Sequence, residues 1–441
     1  MILRVLILSA LLGVGAAPRA AAADLPPEPA IPAHLTLRDA VNIFRTHGLD
    51  LLIAEANAEA AAGDVTAASA IPNPNAAAGW YHFFVTGEAS KAWSARNGWF
   101  VGLGDSNAIE DTLSGKRGLR RGVAEAALAA ARLQRADAQR TLELQVKQAY
   151  FAAASARVAL DFAREVATAT GRTFDLNQVR YKSGAISEVD LSRTETLKLE
   201  AEQAADAAAQ SLHAAKVQLA FLLGRRQTFA DFQIDAEQLR FAVPPGLQGS
   251  SPQRLIDQAF EARPDLRAQE NQRVRAQRAT SLARRQRFPD LGVGVEYQQQ
   301  GSPANPQAIS PPTLQVSLTG IIPLFYQQQG EIKKAEADAR AQDAQAAKLR
   351  AQIAADVENA YSAWLTARQL VQRMEGRLLE RAGRARELVE LQYQKGAASL
   401  IEYLDAERTY VSTKGEYIQD LAAYWNAIFQ IEAATATELV Q

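Results

Sequence analysis

The sequence RYKSGAIS at residues 180–187 returns as QYQKGAAS at residues 392–399, 212 positions further along the chain. The residues before each copy also correspond, because small and apolar residues recur in steps of four and three. The two seams are Leu142, Val146, Ala149, Ala153, Ala156, Leu160, Ala163 and Ala167, and Ile353, Val357, Ala360, Trp364, Ala367, Val371, Met374 and Leu378. A sustained repeat of about 3.5 residues is typical of supercoiled helices. The duplication predicts an architecture built from two similar units.

Each unit predicts the same order of elements. The first repeat, 35–223, comprises one helix from the N-cap Thr36 to about Ala70, strands near 76–86 and 92–104, a long helix near 116–181, a tip at Gly184 and a shorter helix. After an inter-repeat linker at 224–250, the second repeat, 251–441, comprises one helix at 252–287, strands near 291–300 and 313–322, a long helix near 330–394, a tip at Gly396 and a shorter helix. Helices this long require other helices to pack against.

The first residues predict export. Residues 1–23 have a charged start at Arg4, an apolar stretch and small residues before Asp24, which is the pattern of a cleaved signal peptide. A proline-rich, extended lead-in follows at 24–34. An uncleaved anchor would need about 20 apolar residues in succession, and Arg19 ends the run earlier.

Composition excludes several classes of function. The formal net charge is −1, so we predict no nucleic-acid partner. The absence of cysteine excludes disulfides and thiol catalysis. The four histidines have no ligand spacing, so we predict no metal site. Because no nucleophile–base pair or phosphate-binding loop is present, we expect neither an enzyme nor a bound cofactor.

The third and fourth predicted strands alternate apolar and polar residues, which predicts a sheet with one apolar face. A soluble, half-buried sheet has the same pattern, but strands of about 9–11 residues are also long enough to cross a bilayer when tilted. Candidates for an interfacial aromatic girdle are Trp80, Tyr81, Trp93, Trp99 and Tyr297. Four strands cannot close a barrel, and open edges are not stable in lipid. We therefore expect a ring-shaped oligomer with a β-barrel at one end and a helical tube at the other.

Seven short segments of the sequence together resemble a known family. They are IPNP at 71–74, SGKR at 114–117, RFPDL at 287–291, IPLF at 322–325, QG at 329–330 and the two YxxG turns at 181–184 and 393–396. Together they resemble the outer-membrane factors of tripartite efflux systems, the TolC superfamily, and most closely its CzcC-type (cobalt–zinc–cadmium) branch. The resemblance implies an α+β membrane protein of TolC-like fold. It would be a homotrimer with a 12-stranded outer-membrane β-barrel, four strands from each protomer, and a long coiled-coil α-helical barrel in the periplasm.

The resemblance also implies which residues carry the function. Gly184 and Gly396 would lie at the periplasmic tips, where a periplasmic adaptor docks. Glu402 and Asp405 lie three residues apart on one helical face. In a trimer they would line the closed aperture as two rings of carboxylates, which raise one another's pKa and favour cations. The alternative is that both are ordinary solvated acids.

Two further positions match a lock that ties the hairpins together in the family. Asp190 and Tyr393 occupy these positions, and the resemblance gives them a gating role. The basic partner of the lock would lie two residues after Gly396, but this position is Ala398. Asp190 would then use another partner, such as a nearby lysine or arginine, or none.

The implied function is the exit duct of a tripartite resistance–nodulation–division (RND) efflux system that exports heavy-metal cations. Its partners would be a periplasmic adaptor, an inner-membrane RND pump, outer-membrane lipid and two copies of itself. One alternative keeps the fold but changes the cargo to drugs or to proteins of type I secretion. Another alternative, of a different class, is a periplasmic coiled-coil adaptor or scaffold.

Overall fold

The computed structural model describes residues 25–82, 84, 86–227, 231–305, 307 and 310–439, and the signal peptide predicted at 1–23 lies outside them. In chain order the elements are β1 (His34–Leu35), α1 (Leu37–His47), α2 (Leu49–Ser69), β2 (Asn75–His82), β3 (Asn97–Gly104), α3 (Ala108–Leu113), α4 (Lys116–Lys182), α5 (Glu188–Leu222), β4 (Gln233–Ile234), α6 (Pro252–Ala262), α7 (Pro264–Arg285), β5 (Leu291–Gln299), β6 (Thr313–Gly320), α8 (Gln329–Arg373), a π-helical turn (Met374–Leu378), α9 (Leu379–Gln394) and α10 (Leu400–Thr435). None of the described helices combines the length and apolarity needed to cross a bilayer.

The longest helix, α4, has 67 residues without interruption, and at about 1.5 Å per residue it extends about 100 Å. It packs against α2, α5, α7 and α10. The second long helix differs from the prediction of one continuous helix, because the π-helical turn separates α8 from α9. The fold is therefore a bundle of parallel and antiparallel helices arranged around α4.

The predicted seams are mostly buried. Every residue of the second seam from Ile353 to Met374 is buried, but Leu378 is 51% exposed. The prediction is wrong at Leu378 because a π-helical turn holds more residues than an α-helical turn, which rotates the following side chains out of the seam. In the first seam, Val146, Ala153 and Leu160 are buried, and the other positions are half-buried.

The two helices predicted ahead of the strands are each divided in two. Gly48 separates α1 from α2 with an extended backbone (φ −60°, ψ 117°), and its N–H is bonded to the carbonyl of Phe44. A Cβ at Gly48 would lie 2.5 Å from the Phe44 ring. In the second repeat, Arg263 separates α6 from α7 because Pro264 disfavours helical backbone in the residue before it.

The strands β2, β3, β5 and β6 form one antiparallel sheet in this order. Its register brings the apolar residues of the four strands to the same face, which we call the apolar row. For example, Ala78, Val101, Tyr297 and Leu314 are successive neighbours across the sheet. The other row is small or polar, and Phe100 and Tyr81 in it pack over the facing glycines of neighbouring strands. The sheet therefore has one apolar and one polar face, as the alternation predicts.

The strand bounds and the aromatic girdle need correction. The first strand ends at His82, and the second begins at Asn97 because 87–92 forms a 3₁₀ turn instead of a strand. The fourth ends at Gly320, since its partner strand begins opposite at Leu291. Of the candidate girdle residues, Trp80, Trp99 and Tyr297 lie on the apolar row, whereas Tyr81 lies on the polar row and Trp93 lies outside the strands.

The segment predicted as an inter-repeat linker packs against the helices and contributes buried side chains to the main hydrophobic core. Its strand β4 pairs in parallel with β1 from the lead-in, and Leu239 and Leu247 are buried. The Tyr150 hydroxyl donates at 3.2 and 2.9 Å to the carbonyls of Leu35 and Asp235. These contacts join the lead-in, the linker and α4 at one level of the bundle.

Lys116 joins the sheet to the helices. This buried side chain donates to Asp290 at 2.6 Å and to the Phe288 carbonyl at 2.8 Å, and it lies 3.2 Å from Glu110. Two of the sequence motifs, SGKR and RFPDL, therefore meet in space through an ion pair. The contact positions the start of α4 against the start of β5.

Candidate functional site at the helical tips

The two tips are built by the same turn. Gly184 and Gly396 have left-handed backbones, with φ of +76° and +78°. The alanine after each glycine donates a backbone hydrogen bond to the carbonyl five residues earlier. These bonds run from Ala185 to Arg180 and from Ala397 to Gln392, both at 2.8 Å. Glycine is favoured here by backbone conformation. A Cβ at either glycine would have no atom within 4 Å, so the tips present bare backbone.

Asp190 belongs to the cap of its own helix. Ser187 is the N-cap of α5, and its hydroxyl accepts from the Asp190 N–H and donates to the Asp190 carboxylate at 2.8 Å. The other carboxylate oxygen lies 3.6 Å from the guanidinium of Arg193, one turn further along α5. Among the described residues, Asp190 thus pairs within the first hairpin and not with the second.

Glu402 has the equivalent position in the second hairpin and forms a complete capping box. Its carboxylate accepts from the Ser399 N–H at 2.7 Å, while the Ser399 hydroxyl accepts from the Glu402 N–H at 3.3 Å. The bonds from the Ser399 backbone, and then from its hydroxyl, hold the pKa of Glu402 below its usual value. Within one chain this carboxylate is therefore stabilised in its charged form.

Asp405 is exposed one turn further along α10. It borders a cleft of about 770 Å³ between the first turns of α5 and α10. Other charged residues on this cleft are Glu188, Glu200, Arg193 and Arg408. Both signs of charge are present there. Across the described residues, no group of three or more His, Cys, Asp or Glu could hold a metal ion.

Tyr393 joins the two hairpins. It is buried, and its hydroxyl donates to the Asn177 side-chain oxygen on α4 at 2.7 Å. Its ring stacks on Tyr403, with centroids 5.3 Å apart, and the Tyr403 hydroxyl lies 3.1 Å from that of Thr173 on α4. We name Asn177, Thr173, Tyr393 and Tyr403 the tip cluster. The role predicted for Tyr393 in holding an aperture shut stays a prediction.

Arg180 adds a charge to this connection. Its guanidinium lies 5.1 Å from the centre of the Tyr393 ring and donates to the Gln394 carbonyl at 2.9 Å. It thereby satisfies a carbonyl at the end of α9 from the opposite hairpin. Ala398, at the position where a basic partner was expected, packs against the cluster of Tyr393, Leu400 and Tyr403. No sequence motif had assigned a role to Asn177, Thr173, Tyr403 or Arg180. The only signal was a polar residue, Asn177, within an amphipathic helix.

The chain thus combines two hairpins with bare tips and, at the other end of the helices, an amphipathic sheet. A protein family with the same duplicated organisation matches the sequence. The sequence profile described as "Outer membrane efflux protein" matches residues 44–225 and again 255–437. The chain belongs to the outer membrane efflux protein family. Membership places this efflux protein in the outer membrane, with its helical part in the periplasm, and its relatives are transport channels rather than enzymes. The two matches also confirm the internal duplication.

Solved structures share the fold of this efflux protein. A membrane protein from Pseudomonas aeruginosa is 21% identical, with a TM-score of 0.73 over 90% of this chain and 93% of the other. VceC from Vibrio cholerae is 18% identical, with a TM-score of 0.71 over 92% and 97%. The open state of the Neisseria gonorrhoeae MtrE outer membrane channel is 20% identical, with a TM-score of 0.71 over 91% and 89%. Among curated protein sequences, none matches this efflux protein.

Proposed function

We propose that this efflux protein is the exit duct of a tripartite RND system and works as a homotrimer. The observation that carries the proposal is the sheet, which has an apolar face and two unpaired edge strands, β2 and β6. Val101, Val316 and Leu318 on the apolar face are about half to two-thirds exposed in the single chain. Such a surface requires lipid or another chain to cover it.

The sheet order supports ring closure. All four strands alternate in direction, so β6 of one copy and β2 of the next can pair antiparallel without reversing any strand. Three copies would form a 12-stranded barrel with no free edge in the lipid. The helices of the three copies would then enclose a tube in the periplasm. The family assignment favours this channel over a periplasmic adaptor or scaffold.

The tips supply the proposed contact with the periplasmic adaptor, through which the channel would meet an inner-membrane RND pump. Gly184 and Gly396 leave the backbone accessible, so a helical tip of the adaptor can approach closely. Glu402 and Asp405 would line the aperture, and the capping box keeps Glu402 charged. Rings of carboxylates attract cations. Together with the resemblance to the CzcC-type branch, this supports heavy-metal cations as the cargo.

The first experiment measures the mass of the purified mature chain in detergent and its conductance in a planar bilayer. We expect a trimer that conducts cations, and a monomer that is stable without detergent would overturn the proposal. Replacing Glu402 and Asp405 together by alanine should reduce block by divalent cations. Deleting the gene should lower tolerance to zinc or cobalt, whereas loss of tolerance to drugs alone would replace the proposed cargo.

A further inference from the structure

One carboxylate lies within the sheet. Apart from His82 near one end of β2, Glu296 is the sole acidic or basic residue in the strands β2, β3, β5 and β6. It is the sixth of nine residues of β5, so it lies near the middle of the strand. Its neighbours along the strand, Val295 and Tyr297, lie on the apolar row. Glu296 therefore lies on the opposite, polar face.

The neighbouring strands leave space for this side chain. Gly102 faces Glu296 from β3, and Gln315 faces it from β6. A Cβ at Gly102 would lie 3.5 Å from the Glu296 Cγ, so the stem of the glutamate covers the bare glycine. A shallow cleft of about 360 Å³ on this face includes Glu296, and Ser317 and Thr319 add hydroxyls to it.

The carboxylate has no structural partner. Within the described part of the chain, no residue donates a hydrogen bond to Glu296 or forms an ion pair with it. A charged group in a membrane-spanning strand is unfavourable on the lipid side, where it lacks water. On the polar face it keeps its hydration. No observed contact of this carboxylate therefore stabilises the fold. Its position points to a role in the passage of solutes along the polar face.

We infer that Glu296 is a charge-selectivity residue of the β-barrel, which favours inorganic and organic cations over anions. The inference rests on the proposed trimer, in which the polar faces of three sheets surround the lumen and Glu296 forms a ring of three carboxylates. This ring lies in the barrel, at the opposite end of the molecule from Glu402 and Asp405. The channel would then have two separate cation-favouring rings in series.

The expected effect follows from the size of the barrel. Twelve strands spaced about 4.8 Å apart and tilted about 40° have a radius of about 12 Å, so each carboxylate lies about 10 Å from the axis. Through water, one charge at about 10 Å enriches a monovalent cation about twofold. Three charges enrich it about eightfold at low salt, and screening at 0.1 M reduces this to about twofold.

The first test compares E296Q with E296D and with E88Q, which removes an exposed acid paired with Lys91 outside the strands. In bilayers with a salt gradient, E296Q should lower the cation-to-anion permeability ratio about four- to sixtyfold, more at low salt, because the ring attracts cations and repels anions by the same factor. The charge-conserving E296D should retain the ratio, and E88Q should change it less than E296Q. A conducting E296Q trimer with an unchanged ratio would overturn the inference.

The second test uses the absence of cysteine in the chain. In the E296C variant, the sulfonated, water-soluble reagent MTSES should react from the aqueous phase and restore a negative charge. In the V295C variant, on the apolar face, it should not react. An unreactive E296C in a conducting trimer contradicts a lumenal position. If no variant, including the unaltered chain, forms a conducting oligomer, the proposed function itself fails and this inference fails with it.

Discussion

Substitution of Tyr393 by phenylalanine tests the connection between the two hairpins. Phenylalanine keeps the ring that stacks on Tyr403 but removes the hydroxyl that donates to Asn177 at 2.7 Å. Asn177 is 0% exposed, so water cannot replace the lost donor without rearrangement. The side-chain nitrogen of Asn177 already lacks a partner among the described residues. After the substitution, both polar ends of this buried amide are unsatisfied.

The cost follows from burial. Leaving a buried acceptor without its partner costs about 1–3 kcal/mol. That free energy shifts the equilibrium between docked and separated hairpins by a factor of about 5–150. The loss should be local, because the main hydrophobic core does not include the tip cluster. Thermal unfolding of the whole channel should therefore change much less than local opening.

Amide hydrogen exchange of the detergent-solubilised channel measures this local opening. Y393F should accelerate exchange over α9 and the first turns of α10 by the same factor, while α8 stays unchanged. The matched control is Y410F, since the Tyr410 hydroxyl forms no hydrogen bond with a described residue. The double variant Y393F/N177L replaces both polar partners by apolar groups and should exchange more slowly than Y393F. Equal exchange in Y393F and Y410F would refute the reasoning.

Three further predictions concern the ion pairs of Lys116 between helices and sheet, the pKa of Glu402, and the glycine turn at Gly184. K116M leaves the carboxylates of Glu110 and Asp290 without their cation and should lower the free energy of unfolding by about 2–3 kcal/mol. This is less than the loss for a fully buried ion pair, because Asp290 is mostly exposed. The control K333M, at an exposed site, should change the thermal melt little. The lowered pKa of Glu402 stabilises the start of α10 above about pH 4.3, and this contribution disappears as the pH falls through the lower folded pKa. The local opening free energy, obtained from hydrogen exchange after correction for the intrinsic exchange rate at each pH, should therefore fall there on acidification in the unaltered chain but not in E402Q. G184A forces a left-handed alanine and should cost about 1 kcal/mol, whereas G171A in the interior of α4 should stabilise the chain by about 0.5–1 kcal/mol, both measured by chemical denaturation.

Periodic features of this fold could be predicted from the sequence, and local interruptions were harder to predict. The duplicated seams and the alternating strands repeat over many residues, so single exceptions do not hide them. The break before Pro264 could have been predicted, because proline restricts the residue before it. The break at Gly48 depends on the Phe44 ring, which occupies the space where a Cβ would be. The π-helical turn accompanies a bond between Glu375 and Tyr417 on α10, a contact 42 residues apart.

At the tips, the sequence was informative about backbone and less so about side-chain partners. The glycine in each YxxG motif predicted the left-handed turns, because few other residues adopt that conformation. Ser187 and Ser399, the N-caps of α5 and α10, each lie three residues before an acid, a pattern that could have predicted both caps. The partner of Tyr393 could not be predicted, since it depends on how α4 and α9 are rotated about their axes. Asn177 lies 216 residues away and has no motif of its own.

The π-helical turn makes the duplicated halves mechanically unequal. In the described residues, α4 has continuous α-helical hydrogen bonding over its full length, whereas its counterpart is interrupted at Met374–Leu378. Gly376 in this turn and Gly415 on the facing helix leave open space, with no atom within 4 Å of a Cβ position. Bending therefore costs less there than along α4. Under a force on the tips, the first hairpin would act as a stiff rod and the second as a rod with a hinge, although both belong to copies of the same duplicated unit.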